Sequence, residues 1–128
     1  MSLLMYSSGT NSGNSLQELM ESAFPQEKLE VCRSTGELVL RLRQWINGIA
    51  VVVLFIKNQK ELQDLLAFHD LLTDFRLILI LPDRNKDTIK RAHGLRPRFL
   101  TFSDGNMNDV TAVLQRMLLG SGVREIMR

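Results

Sequence analysis

Residues 49–56 read IAVVVLFI, the longest uninterrupted apolar run in the chain. A membrane-spanning helix needs about 20 apolar residues, so this run is too short to cross a bilayer. A run without a polar face is typical of a strand at the centre of a parallel sheet, where helices cover both faces. It therefore predicts an α/β protein with helices on both sides of its sheet.

Four further strand-like segments accompany this run at regular spacing. They begin near Leu3, Lys28, Arg76 and Phe99, and with the run near Ala50 they give intervals of 22 to 26 residues. Helical periodicity and helix-capping residues fill the gaps between them. Strands that alternate with helices of this length pair in parallel through right-handed crossovers, so the sequence predicts five strand-helix units.

The apolar content of the strands predicts their order. Strands three and four are almost continuously apolar, which favours the centre of the sheet, whereas strand two, residues 28–33, alternates apolar and polar side chains. We therefore expect a flavodoxin-like, doubly wound parallel sheet of order 2-1-3-4-5. The alternative order, 3-2-1-4-5, would bury strand two, and its charged side chains argue against that.

Composition predicts one cytoplasmic domain without a metal site. The chain has 128 residues, 45% of them hydrophobic, a net charge of +2 and no secretory signal pattern. We expect the domain to span 1–120 and a flexible tail or truncated linker to span 121–128. The lone Cys32 excludes an internal disulfide, and His69 and His93 have no second ligand at metal spacing.

The order and spacing of the five units resemble the CheY-like receiver domain of two-component response regulators, over about residues 3–119. This resemblance implies an acidic pair after strand one, a phosphorylated aspartate ending strand three, a Thr or Ser ending strand four and a Lys after strand five. The chain has, in that order, Ser7-Ser8-Gly9, Ile56-Lys57-Asn58, Leu81-Pro82-Asp83 and Ser103-Asp104-Gly105.

The receiver site therefore lacks its reactive residues. Magnesium needs hard oxygen ligands, and phosphoryl transfer to an acyl phosphate needs a nucleophilic carboxylate. Asp83 and Asp104 are the only carboxylates that we expect near this crevice, because Glu61 falls within the third helix. The sequence predicts a degenerate pseudo-receiver that is not an enzyme, with no catalytic residue, cofactor or metal.

A cluster of cations occupies the fourth helix and the turn after it. We call it the basic cluster, and it comprises Arg84, Lys86, Lys90, Arg91, Arg96 and Arg98. It is either an ordinary charged helix face or a partner surface. In receivers the fourth helix, fifth strand and fifth helix pass the signal on, so the resemblance implies a protein partner here. That partner would be a fused or separate signalling domain, or a second copy in a homodimer. The absence of interleaved aromatic residues argues against nucleic acid.

The loop after strand one supports an alternative function. Its residues Ser8, Thr10, Ser12, Gly13, Asn14 and Ser15 resemble the phosphate loop of flavodoxins, with a helix that we expect to start at Ser15. Hydroxyls and backbone N–H groups at a helix start can hold the phosphate of flavin mononucleotide (FMN) or another small ligand. However, the loops after strands three and four are short and lack the aromatic residues that flavodoxins place on the flavin. The plainer interpretation is a solvated turn with a serine cap.

Overall fold

The computed structural model describes residues 2–9, 11–44 and 49–119. Two predictions concern residues outside these ranges: the role of Thr10 in the first loop and the tail 121–128. Within the described ranges, no helix is both long and apolar enough to cross a membrane.

The sheet has five parallel strands in the predicted order. Their bounds are β1 Ser2–Ser7, β2 Lys28–Cys32, β3 Ile49–Phe55, β4 Leu77–Leu81 and β5 Phe99–Phe102. The strands lie side by side as β2-β1-β3-β4-β5, and every neighbouring pair is parallel. The prediction of a flavodoxin-like sheet of order 2-1-3-4-5 is therefore confirmed, with the alternating strand β2 at an edge.

The described residues contain six helices and one short 3₁₀ turn. The helices are α1 Asn11–Ala23, α2 Thr35–Gln44, α3 Gln59–Leu66, α4 His69–Leu72, α5 Lys86–Ala92 and α6 Asn108–Leu119, and the 3₁₀ turn is His93–Leu95. The helix expected after β3 is thus two helices, because the chain turns at Ala67 and Phe68, and Phe68 packs against the core.

Two hydrophobic cores lie on opposite faces of the sheet. Alternate residues of one strand enter different cores: Leu3 and Met5 of β1 pack on one side, and Leu4 and Tyr6 on the other. The first core is completed by α1 and α6, and the second by α2, α3, α4 and α5. This period of two is what a strand covered on both faces requires.

Helix α1 begins four residues earlier than expected. The prediction that it starts at Ser15 is wrong, because its first residue is Asn11. The low helix propensity of Gly13 favours a later start, but Gly13 is buried within the helix, and Leu16 and Met20 anchor the following turns in the core. Tertiary packing thus overrides local propensity here.

Candidate functional site

The sheet order reverses between β1 and β3, and ligands of this fold class bind at the carboxyl ends of the strands flanking such a reversal. Ser7, the last residue of β1, lies in register with Phe55, the last residue of β3. The chain leaves the two strands as Ser8-Gly9 and Ile56-Lys57-Asn58. These residues, with the loops after β2, β4 and β5, form the edge at which chemistry is expected.

Glu61 reaches into this edge, although it belongs to α3. One of its carboxylate oxygens accepts a hydrogen bond from Ser8 Oγ at 2.5 Å, and the other accepts the backbone N–H of Lys57 at 2.8 Å. The expectation that Asp83 and Asp104 are the only carboxylates near the crevice is therefore wrong. Side chains in a first helical turn point back towards the amino terminus, and Glu61 lies three residues after the N-cap Asn58.

Tyr6 lies close to this carboxylate from the side of the core. It is a buried residue of β1. Burial, as the largest cause, and then the negative charge of Glu61 raise the pKa of the Tyr6 hydroxyl far above its ordinary value. Tyr6 therefore keeps its proton at physiological pH and does not supply a phenolate nucleophile.

Arg33 connects the end of β2 to the end of β1. Its Nη1 donates to the backbone carbonyl of Ser7 at 3.3 Å, and its Nη2 donates to Gln17 Oε1 of α1 at 3.2 Å. The guanidinium thus lies across the start of the crevice and holds α1 against the outer strand.

Gln59 connects the start of α3 to the loop after β4. Its Nε2 donates to Asp83 Oδ2 at 3.2 Å and also to the hydroxyl of the buried Thr88. Asp83 Oδ1 accepts the backbone N–H of Asn85 at 2.9 Å. Hydrogen bonding, above all from Thr88, holds the pKa of Asp83 below its ordinary value, so this carboxylate is charged at neutral pH.

Arg84 connects the loop after β4 to the loop after β5. Its Nη2 lies 2.9 Å from Asp104 Oδ1, and its guanidinium carbon lies 4.2 Å from the centre of the Phe102 ring. Arg84 is one of the six cations of the basic cluster that the sequence predicts. In the structure it forms an intramolecular ion pair and a cation–π contact, which none of the other five cations forms within the described residues.

These contacts follow one another across the whole carboxyl edge, and we call them the carboxyl-edge belt. The belt consists of Arg33 to Ser7, Ser8 to Glu61, Gln59 to Asp83 and Thr88, and Arg84 to Asp104. It joins the loops in the spatial order of the strands, from β2 through β1, β3 and β4 to β5. Most polar side chains at this edge therefore have a partner within the chain.

One buried polar atom at the edge, Ser7 Oγ, is not part of the carboxyl-edge belt. The Ser7 side chain is 1% exposed, and its Oγ has no hydrogen-bond partner among the residues that the structure describes. Over the same residues, no group of three or more His, Cys, Asp or Glu side chains is arranged to hold a metal ion.

The residues of the alternative phosphate loop are divided by the early start of α1. Ser12, Gly13, Asn14 and Ser15 belong to the helix, where Gly13 is buried and Asn14 and Ser15 are exposed. Ser8 follows β1 and donates its hydroxyl hydrogen to Glu61. The loop between β1 and α1 is consequently shorter than the sequence interpretation required.

The remaining basic cluster points to solvent. Lys86, Lys90, Arg91, Arg96 and Arg98 are all exposed, and none of them forms an ion pair with a described residue. Arg96 closes the 3₁₀ turn in the left-handed region, at φ 54°. Five of the six cations of the basic cluster are therefore exposed without an ion pair to a described residue. The sixth, Arg84, is paired with Asp104.

Comparisons with known proteins agree with this fold. No protein-family model and no curated protein matches the sequence. The structure is similar to a CheY-like response regulator receiver domain from Methanospirillum hungatei JF-1, at 14% identity and a TM-score of 0.71, over 91% of this chain and 92% of that one. It is also similar to the signal receiver domain of an HD domain-containing protein from Pseudomonas fluorescens Pf-5, at 14% identity and a TM-score of 0.72, over 97% and 90%.

A third similar structure is a putative pilus assembly-related protein from Burkholderia pseudomallei K96243. The two share 13% identity at a TM-score of 0.65, over 91% of this chain and 88% of that one. At these identities the comparisons establish a shared receiver-like fold, and the role of the chain has to be argued from its own residues.

Proposed function

We propose that this chain is a non-catalytic, receiver-like module of cytoplasmic signalling or regulation, which is not phosphorylated and acts by binding another protein. The observation that carries this proposal is the carboxyl-edge belt. In a receiver-like fold a phosphoryl site would lie at this edge, and here the polar side chains are engaged with one another.

The proposed absence of phosphorylation is supported by the side chains present at the edge. A phosphoacceptor carboxylate must present a free oxygen to the phosphoryl donor, beside the ligands of a magnesium ion. Ser7 and Phe55 end β1 and β3, and Glu61, the nearest carboxylate, accepts hydrogen bonds at both oxygens. We therefore propose that Glu61 has a structural role that supports the loops of β1 and β3.

The partner surface proposed for this module is the exposed face of α5, β5 and α6. Beside it lie the five cations of the basic cluster that form no ion pair with a described residue. Exposed charges that no internal contact requires are available for steering and recognition of a partner. The partner is a fused or separate signalling domain, or a second copy of the chain.

A thermal-shift series tests the proposal against its two rivals. The protein is heated with acetyl phosphate and magnesium, with beryllium fluoride and magnesium, and with FMN, and each sample is also examined by intact-mass spectrometry. A ligand that binds the native state raises the melting temperature by mass action. We expect no shift and no added phosphoryl group.

Either positive result identifies what is wrong. A shift with beryllium fluoride, or a phosphoryl adduct, would show that the chain has a phosphoacceptor carboxylate. Loss of that shift or adduct in E61Q would identify the acceptor as Glu61. A shift with FMN alone would instead support the alternative of a small-ligand site at residues 8–15. The phosphoryl chemistry and the flavin site are thus tested separately.

A further inference from the structure

A shallow groove lies between α3 and α5, next to the basic cluster. Its volume is about 520 Å³, and its lining residues are Leu66, Asp87, Lys90, Arg91 and Gly94. Leu66 is half-buried and packs against the core with the rest of its side chain. The groove therefore offers a small apolar surface between charged walls.

Gly94 keeps this apolar surface accessible. A Cβ atom at this position would lie 3.4 Å from Leu66 Cδ2, which is van der Waals contact. A larger side chain at position 94 would thus cover Leu66, whereas glycine leaves it open. The backbone of Gly94 does not need a positive φ, since Gly9 is the glycine with that conformation among the described residues.

The charges around the groove are mostly positive. Lys90 and Arg91 line it, and both are exposed and without an ion pair among the residues described. Asp87 is the only acidic side chain in the lining. Charge complementarity therefore favours an anionic partner, with each cation available for a carboxylate.

The lining favours a peptide over a nucleic acid. Residues 84–98 contain no Phe, Tyr or Trp on which a base could stack. Leu66 offers contact to an aliphatic side chain, which a peptide supplies and a phosphate backbone does not. Anchoring of one apolar side chain among charged contacts is a common mode of peptide recognition.

We propose that the groove between α3 and α5 binds an acidic segment of a partner protein, with an aliphatic side chain against Leu66 and carboxylates paired with Lys90 and Arg91. This inference rests on the proposed binding function. It narrows the recognition surface to Lys90 and Arg91 of the basic cluster and places it on the side of α5 that faces α3, away from β5 and α6.

Fluorescence anisotropy with the full chain tests the proposal. The probe is a fluorescein-labelled peptide in which one leucine is flanked by glutamates, and its matched controls replace the glutamates by glutamines or the leucine by serine. A labelled single-stranded oligonucleotide is the competing probe. We expect the acidic leucine peptide to bind, and both control peptides to bind roughly tenfold more weakly.

Two variants change the groove by different means. K90E/R91E reverses its charge and should weaken binding of the acidic peptide by roughly tenfold or more. G94V should also weaken it, because the new side chain covers Leu66 without a change in charge. R43E reverses a charge on α2, away from the groove. It should bind the acidic peptide as tightly as the unsubstituted chain does. Thermal melting of each variant confirms that it is folded.

Several results would overturn the proposal. One is an acidic peptide that fails to bind or binds no better than its glutamine control. Another is oligonucleotide binding, or self-association of the chain, that K90E/R91E abolishes. R98E/R116E reverses two exposed cations outside the groove, Arg98 just before β5 and Arg116 on α6. If acidic peptide binding is lost in this variant but kept in K90E/R91E and G94V, the groove is wrong and the binding module stands. Phosphorylation by acetyl phosphate would instead overturn the proposed function itself.

Discussion

The carboxyl edge of the sheet and the exposed side of α5 are both rich in polar residues, but they use them in opposite ways. At the edge, Arg33, Glu61 and Gln59 bond to neighbouring loops. On α5, Lys86, Lys90 and Arg91 are exposed and unpaired among the described residues. From this difference we expect the polar side chains of the edge to contribute to stability, whereas the cations of α5 are exposed to solvent.

The largest effect is expected at Glu61. Replacement by alanine removes the acceptor of Ser8 Oγ and of the Lys57 N–H, and we expect the free energy of unfolding to fall by about 2 kcal/mol. Urea denaturation of E61A and the unsubstituted chain measures this loss. If the loss is negligible, the belt does not stabilise the edge and the comparison fails.

Glu37 provides a matched control for that measurement. It also lies three residues after an N-cap, Ser34, and it accepts the backbone N–H of Arg33 at 2.6 Å. Unlike Glu61, it has no bond to another strand's loop among the described contacts. We expect E37A to lose about 1 kcal/mol, so that the excess loss in E61A reports the bridge to Ser8. Adding S8A to E61A should cost little more, because the two residues share one hydrogen bond.

Ser7 differs from the other polar residues of the edge because its buried hydroxyl has no hydrogen-bond partner among the described residues. Its replacement tests whether the edge is stabilised by its hydrogen bonds. A buried hydroxyl without a partner is destabilising, so S7A should raise the free energy of unfolding by about 1 kcal/mol. S103A, at the end of β5, makes the same chemical change at a half-buried position and should have almost no effect. A loss of stability in S7A alone would mean that Ser7 Oγ has a partner in solution, and the edge would again be a candidate ligand site.

The strands could be predicted from the sequence because their signals are local. The apolar run of β3 and the alternation of β2 depend only on which faces are covered, and both strands lie where those patterns indicate. The start of α1 could not be predicted in the same way. Its first residues are poor helix formers, and the apolar residues that anchor the helix in the core, Leu16 and Met20, come only after Gly13.

The carboxyl-edge belt illustrates the same limit at the site. The capping pair Asn58 and Glu61 is visible in the sequence, and its geometry already directs the Glu61 side chain back towards β3. Its second partner, Ser8, lies 53 residues away and is determined by the placement of β1 beside β3. Thr88 of α5 is likewise buried, and its hydroxyl accepts a hydrogen bond from Gln59, a partner 29 residues away that helical spacing alone does not reveal.

The smallest effect is expected where the two regions meet, at two cations that lie two residues apart. Arg84 has an exposed ion pair with Asp104 and a contact with Phe102, whereas Lys86 has no such pair within the described residues. R84A should therefore lower the free energy of unfolding by about 0.5 kcal/mol, and K86A should leave it almost unchanged. Urea denaturation at low and high salt measures both, and the loss in R84A should shrink at high salt because ions screen an exposed pair. Equal losses in both variants would place Arg84 with the free cations of α5, and the belt would then end at Asp83.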